Sequence, residues 1–146
     1  MADALTGLRN RRALIADLEQ RLASGAGAPA FTLVLFDLDG FKQYNDNFGH
    51  PSGDALLHRL GAKLEAGLAG RGRAYRIGGD EFCALLDAAP ETVEPYLEAA
   101  VGALFEHGEG FTIGCSYGSV ALPSEAPDSS TALRIADQRM YAQKGA

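Results

Sequence analysis

Apolar positions along the chain follow two rhythms, one of period near four and one of unbroken or alternating runs. Leu14, Leu18 and Leu22 recur every fourth residue with Ile15 beside them, which predicts a helix capped by Asn10 and stopped by Ser24-Gly25-Ala26-Gly27-Ala28-Pro29. Phe31-Thr32-Leu33-Val34-Leu35-Phe36 is nearly continuous, as in a central strand covered on both faces, and it stops abruptly at Asp37-Leu38-Asp39-Gly40. Phe41 to Phe48 predicts one or two helical turns, broken by Gly49-His50-Pro51-Ser52-Gly53. Leu57, Leu60, Leu64 and Leu68 mark a longer helix that Gly67 and Gly70 close. Arg71-Gly72-Arg73 then leads through Ala74 and Tyr75 to Arg76-Ile77-Gly78-Gly79-Asp80-Glu81, followed by Phe82-Cys83-Ala84-Leu85-Leu86. Two strand-like segments around Gly-Gly predict a tight hairpin.

Beyond it, Asp87-Ala88-Ala89-Pro90 predicts a helix start with Pro near its first position. Val93, Leu97, Val101 and Leu104 form its stripe, and Gly108 and Gly110 end it. Phe111, Ile113, Cys115 and Tyr117 alternate as in a strand. The apolar phase then slips by one, to Val120 and Leu122, and the slip around Gly118 predicts a β-bulge. Asp128-Ser129-Ser130-Thr131 offers N-caps for a last helix carrying Leu133, Ala136 and Met140. The order helix, strand, helices, hairpin, helix, strand, helix predicts a single α/β (α+β) domain over 1–146, with helices flanking a ferredoxin-like sheet.

Composition narrows the function classes. Among 146 residues, 47% are hydrophobic and 22% charged, as in a globular domain with a real core. No apolar run approaches the length of a membrane span, and Met1-Ala2-Asp3 opens no signal peptide, so a cytoplasmic location without membrane contact is expected. Cys83 and Cys115 both fall in strand-like segments and read as reduced, buried thiols. A net charge of −6 argues against a general nucleic-acid surface but leaves room for a nucleotide whose phosphates are bridged by Mg²⁺.

The candidate chemistry is acidic. Asp80 and Glu81 stand side by side at a rigid turn, where two carboxylates repel unless a cation joins them. Asp37 closes a buried strand, the place where α/β sheets present ligands. If the hairpin pairs beside that strand, the three acids meet in a site suited to Mg²⁺ or Mn²⁺. Asp37-Leu38-Asp39-Gly40 also reads as a plain polar turn, and Asp80-Glu81 as surface acids on an ordinary hairpin. Three other templates fit less well. A haloacid-dehalogenase-type phosphatase would continue with Thr or Val where Phe41 stands, and would need a later acid at Ala84. An EF-hand would need a ligand at Phe41, and no Gly-x-x-x-x-Gly-Lys phosphate loop is present.

Asp3-Ala4-Leu5-Thr6-Gly7-Leu8-Arg9-Asn10-Arg11-Arg12, Phe36 to Lys42, Asn45-Asp46 with Gly49-His50 and Gly53-Asp54, and Arg76 to Phe82 stand in the order of one family's motifs. Thr112, Ser116 and Gly118 with Ala136-Asp137, Tyr141-Ala142 and Lys144 continue them. In these motifs the sequence resembles the GGDEF family, the diguanylate cyclases, from Asp3 to Lys144. The resemblance implies that two GTP molecules condense into cyclic di-GMP and two pyrophosphates, each 3′-hydroxyl attacking the α-phosphate of the other GTP. It implies that Asp37, the Leu38 carbonyl and Asp80 hold Mg²⁺ or Mn²⁺, that Glu81 completes the acidic cluster, and that Asp80 or Glu81 helps deprotonate the hydroxyl. It gives Lys42 and Lys144 to phosphate charge, Asn45 and Asp54 to guanine, and His50 to the vicinity of the nucleotide. It further implies a catalytic homodimer and an N-terminal sensory or regulatory domain in a longer protein, from which this chain would be excised.

Each of these residues also has a plainer reading. The lysines can be solvated, Asn45 can end a helix, His50 can brace the Gly-Pro turn and Asp54 can favour a helix N-terminus. Two departures stand out. The chain stops at Ala146, where the family usually carries another basic residue after Lys144. The family's inhibitory Arg-x-x-Asp motif reads Ala69-Gly70-Arg71-Gly72 here, so no inhibitory product site is expected. The competing readings are a GGDEF module that binds GTP and regulates a partner without turnover, and a phosphatase.

Overall fold

In the computed structural model, which describes residues 1–25, 27–68 and 70–145, Asn10 caps α1 (Arg11–Ala23), its Oδ1 accepting the Ala13 N–H at 3.0 Å. The expectations touching Ala26, Ala69 and Ala146 lie outside the described residues. The apolar run becomes β1 (Phe31–Asp39), which extends two residues past the first acid. Next come α2 (Phe41–Phe48), α3 (His50–Gly67), β2 (Gly72–Gly78), β3 (Glu81–Leu86), α4 (Glu94–Ala103), β4 (Glu106–Gly108), β5 (Phe111–Leu122) and α5 (Ser129–Lys144).

The strands form one sheet in the order β2-β3-β1-β5-β4, every pairing antiparallel. Four of them follow the ferredoxin-like pattern expected from the element order, with β4 as an added edge strand. β1 lies at the centre, and its two faces explain why it is apolar throughout. Val34, Phe36 and Leu38 join Phe82, Ala84 and Leu86 under Leu56, Leu60 and Leu64 of α3 and Leu97 of α4. Leu33 and Leu35 join Cys83, Leu85, Val120 and Leu122 under Leu14 and Leu18 of α1 and Ala136 and Met140 of α5. Each such leucine, fully buried, contributes about 1.5–3 kcal/mol.

Several expectations need correction. No bulge interrupts β5 at Gly118, since its register with β1 runs unbroken from Phe31↔Leu122 to Asp39↔Gly114. The apolar phase slips because Ile113, Cys115 and Tyr117 pack with the α3/α4 core whereas Val120 and Leu122 pack with the α1/α5 core. Gly118 serves close approach instead. A Cβ there would lie 2.1 Å from the Ala136 carbonyl oxygen, so only glycine lets α5 lie on the sheet. The helix expected from Asp87 begins only at Glu94, with Pro95 rather than Pro90 in its first turn. The intervening backbone is committed elsewhere: Asp87 N–H donates to Arg71 O, Ala88 O accepts from Thr32 Oγ1, and Ala89 O from Thr92 N–H. That helix stops at Ala103, and residues 106–108 turn back as β4. Between α2 and α3, Gly49 alone makes the break, and α3 runs through Pro51, which its first turn tolerates, and through Gly53.

Single backbone groups on β2 and on the stretch of β5 beyond β4 have partners outside the sheet. On β5, Tyr117 N–H donates to Gln143 Oε1 at 2.6 Å, and Ser119 O accepts from Arg139 Nη1 at 2.7 Å. On β2, Arg76 N–H donates to Arg9 O at 2.9 Å beside an Arg9↔Tyr75 bridge. No helix among the described residues is long and apolar enough to cross a membrane.

Candidate active site

The Gly-Gly signature folds as expected into the β2–β3 hairpin. Gly78 pairs with Glu81, leaving Gly79 and Asp80 at the tip, and Gly79 takes φ +51°, a left-handed value that glycine adopts without strain. The register shifts between Arg76 and Gly78, one residue before the turn. Arg76 fastens it, donating to the Gly79 carbonyl at 2.8 Å and to Asp3 Oδ1 at 2.9 Å. The hairpin lies against β1, so that Glu81 stands opposite Asp37 and the Leu38 N–H donates to Asp80 O at 3.0 Å. In a strand the N–H and C=O of one residue point to the same edge, so the Leu38 carbonyl also faces the tip.

Asp80 lies against Asp37, and burial followed by that neighbouring carboxylate pushes its pKa up to about 6. Glu81 is raised too, first by burial and then by Asp37 and Asp137, with Arg11 opposing. Lys144 Nζ lies 3.2 Å from Asp37 Oδ2 and 2.7 Å from Asp39 Oδ1. Ser116 Oγ donates to Asp39 at 2.8 and 3.1 Å.

Asp37, Leu38, Asp80, Lys42 and Lys144 share a cleft of about 450 Å³ at the end of β1. Glu81 opens instead onto a second cleft of about 510 Å³, bounded by Arg11 of α1 and Asp137 of α5. Among the described residues, no three His, Cys, Asp or Glu side chains are drawn together tightly enough to hold a metal through side chains alone. What the fold assembles is the Asp37–Asp80 pair with the Leu38 backbone beside it. Asn45, His50 and Asp54 do not line this cleft. Asn45 is half-buried on α2 and lies against Gly53 of α3, while His50 and Asp54 are exposed on the first turns of α3.

Among the described residues, only two buried side-chain oxygens lack a hydrogen-bond partner: Asp37 Oδ1 and Asn45 Oδ1. An unsatisfied buried acceptor costs about 1–3 kcal/mol, so such groups call for an explanation. Both residues were singled out from sequence as ligand-binding. A divalent cation fits the first, an orphaned carboxylate oxygen beside a second carboxylate. An N–H donor fits the second.

The family model described as "Diguanylate cyclase, GGDEF domain" matches residues 1–146. The chain belongs to the GGDEF family. Rv1354c of Mycobacterium tuberculosis, described as an uncharacterized protein, is 39% identical over 151 residues, covering 99% of this GGDEF domain and 24% of that protein. Diguanylate cyclase DgcS of Shewanella oneidensis is 33% identical over 147 residues, covering 99% of the domain and 49% of that protein. The crystal structure of diguanylate cyclase SiaD in complex with its activator SiaC, from Pseudomonas aeruginosa, superimposes with a TM-score of 0.86 at 30% identity, covering 99% of the domain and 58% of that chain. The domain therefore has the α/β fold of the family and spans a quarter to a half of these two curated relatives.

Sequence reasoning missed three participants. Asp39 went without a role, although Asp37 and Asp39, two apart on one strand, share a face. Ser116 matched a motif but had no partner until β5 was placed beside β1. Gly53 gave no sign that its missing side chain makes room for Asn45, where a Cβ would fall 1.7 Å from Oδ1.

Proposed function

We propose that this GGDEF domain is a diguanylate cyclase, condensing two GTP into cyclic di-GMP and two pyrophosphates. The observation that carries the reading is the pair of orphaned acceptors, Asp37 Oδ1 where a cation is needed and Asn45 Oδ1 where a base is needed. The relatives named as cyclases support it. Asp37, the Leu38 carbonyl and Asp80 would hold Mg²⁺ or Mn²⁺, with Glu81 adding negative charge from the neighbouring register position. A cation held by these residues would supply neutralisation of charge on the α-phosphate and its leaving group. Asp80 or Glu81 accepts the proton of the attacking 3′-hydroxyl as the new O3′–P bond forms and pyrophosphate departs. Lys42 and Lys144 meet phosphate charge. Asp54 accepts from guanine N1–H and the exocyclic amine, Asn45 satisfies the remaining edge, and His50 flanks the nucleotide. Because adenine lacks that donor pattern, it would leave these groups unpaired.

One domain offers one acidic cleft, whereas the product needs two reciprocal attacks. The active species is therefore a two-fold homodimer. The greater length of the relatives supports a signal-receiving partner domain in the whole protein. No tight product site is expected at Arg71 and Arg73, since Arg71 lies over the Tyr96 ring and Arg73 pairs with Asp17 at 3.7 Å. The test is incubation with GTP or ATP and Mg²⁺, with chromatography of products. Cyclic di-GMP from GTP alone is the expected result. GTP bound but unchanged would mark a regulatory module instead, and equal use of ATP would remove Asp54 from base recognition.

A further inference from the structure

Among the described residues, Lys144 is the only basic side chain that ion-pairs with the carboxylates of the acidic cleft. It stands on the last turn of α5, and that turn is tied down by its neighbour Gln143, which accepts the Tyr117 N–H. Its ammonium bridges two acids, and the shorter contact is to Asp39. Asp39 is itself braced, with both its oxygens accepting from Ser116 Oγ, a hydroxyl on a buried residue. Asp37 thus gives one oxygen to Lys144 and keeps the other, buried, without a partner.

We propose that Lys144 is a built-in counter-ion for the metal-free cleft, and that Asp39, braced by Ser116, is a positioning residue that draws Lys144 off Asp37 when a divalent cation arrives. The inference rests on the reading that Asp37 and Asp80 hold the cation. With the ammonium on Asp37 Oδ2 and a divalent cation on Oδ1 of the same carboxylate, the two positive charges lie only a few ångströms apart and repel strongly. The ammonium has three donors. One stays on Asp39 while the donor released from Asp37 turns to an anionic oxygen of the substrate. The same side chain thereby neutralises carboxylates before binding and phosphate after it. Without Asp39 it has only Asp37 to rest on and competes fully with the metal.

The experiment measures Mn²⁺ binding to the domain without nucleotide, by the electron-spin-resonance signal of free Mn²⁺. The proteins compared are wild type, Lys144→Gln, Asp39→Asn, Ser116→Ala and the Lys144→Gln/Asp39→Asn double variant. Lys144→Gln should bind Mn²⁺ more tightly, by roughly tenfold if about 1.4 kcal/mol of competition is removed. Asp39→Asn should bind several-fold more weakly, and Ser116→Ala should shift the same way by less. In the Lys144→Gln background, the Asp39→Asn loss should largely disappear. An equal Asp39→Asn loss in both backgrounds would show that Asp39 acts only as a nearby charge, and would overturn the inference. So would unchanged or weaker binding in Lys144→Gln. If wild type binds Mn²⁺ no better than Asp37→Asn, the cation assignment itself fails, and the inference with it. Circular dichroism identifies any variant that has lost the fold, and Ser116→Ala supplies the comparison should Asp39→Asn be among them.

Discussion

Burial beside Asp37 holds Asp80 at an electrostatic cost, and two consequences can be measured. Asp80→Asn should reduce cyclic di-GMP formation by at least about 10²-fold at saturating Mg²⁺ while leaving the circular dichroism spectrum intact. Its pKa in the folded protein, about 6, lies above the ordinary 3.8. The folded state therefore binds the proton more strongly than the unfolded state does. Its stabilising contribution is present below about pH 4 and is lost as pH rises through about 6. In EDTA, the melting temperature of wild type should carry this decline between those pH values, and that of Asp80→Asn should not. A second residue-scale outcome concerns Gly53→Ala. Alanine favours the helix by about 1 kcal/mol, so stability should hold or rise, but its Cβ would drive the Asn45 amide from its place. KM for GTP should then increase about tenfold or more, the loss of a hydrogen bond to the base. An unchanged KM would remove Asn45 from base recognition. At this scale the Asp37–Asp80 pairing was legible in sequence, because the apolar run and the glycines next to them mark both acids. The contacts of Asp39 with Ser116 and Lys144 were not, since they join residues 77 and 105 positions apart.

The elements were legible wherever one periodicity had one explanation. β1, α1 and the hairpin fall where the apolar spacing, the Asn10 cap and the glycine pair put them. The onset of α4 was ambiguous because Pro90 and Pro95 both suit a first turn, and only the hydrogen bonds of residues 87–89 decide between them. In β5 the slip of phase has two physical causes with the same signature, a bulge or a change of the face that is buried. The unbroken register shows the second. Gly118→Ala follows from this. The added methyl meets backbone of α5 rather than a side chain that could move aside. The helix must shift, at a cost of about 1–3 kcal/mol, read as a lower denaturation midpoint with unchanged m-value. Since α5 carries Lys144, KM for GTP should rise in the same variant. A fully stable Gly118→Ala would mean that α5 rides higher on the sheet than described. Arg76 acts at this scale too, joining Asp3 to the hairpin tip through a pair whose side chains are only 14% and 18% exposed. Arg76→Ala should lower kcat more than stability, because it frees the Asp80 turn while the core of the sheet is untouched.

For the whole molecule, the question is what one copy can do alone. Under the proposed reaction a single acidic cleft cannot carry out two reciprocal attacks, so specific activity is expected to climb with protein concentration as light scattering detects dimer. A flat profile from a protein that remains monomeric would exclude the two-fold arrangement. Gln143 meets the Tyr117 N–H and Arg139 the Ser119 C=O on the free stretch of β5, and Arg9 meets the Arg76 N–H on β2. An edge strand with unmet hydrogen bonds is a template on which another chain can add, the first step toward fibrils. Gln143 and Arg139 on the last helix each take one such group out of reach. Replacing both with alanine should leave a folded domain with a stickier seam, read as thioflavin-positive aggregates in concentrated solutions at which the parent protein stays clear.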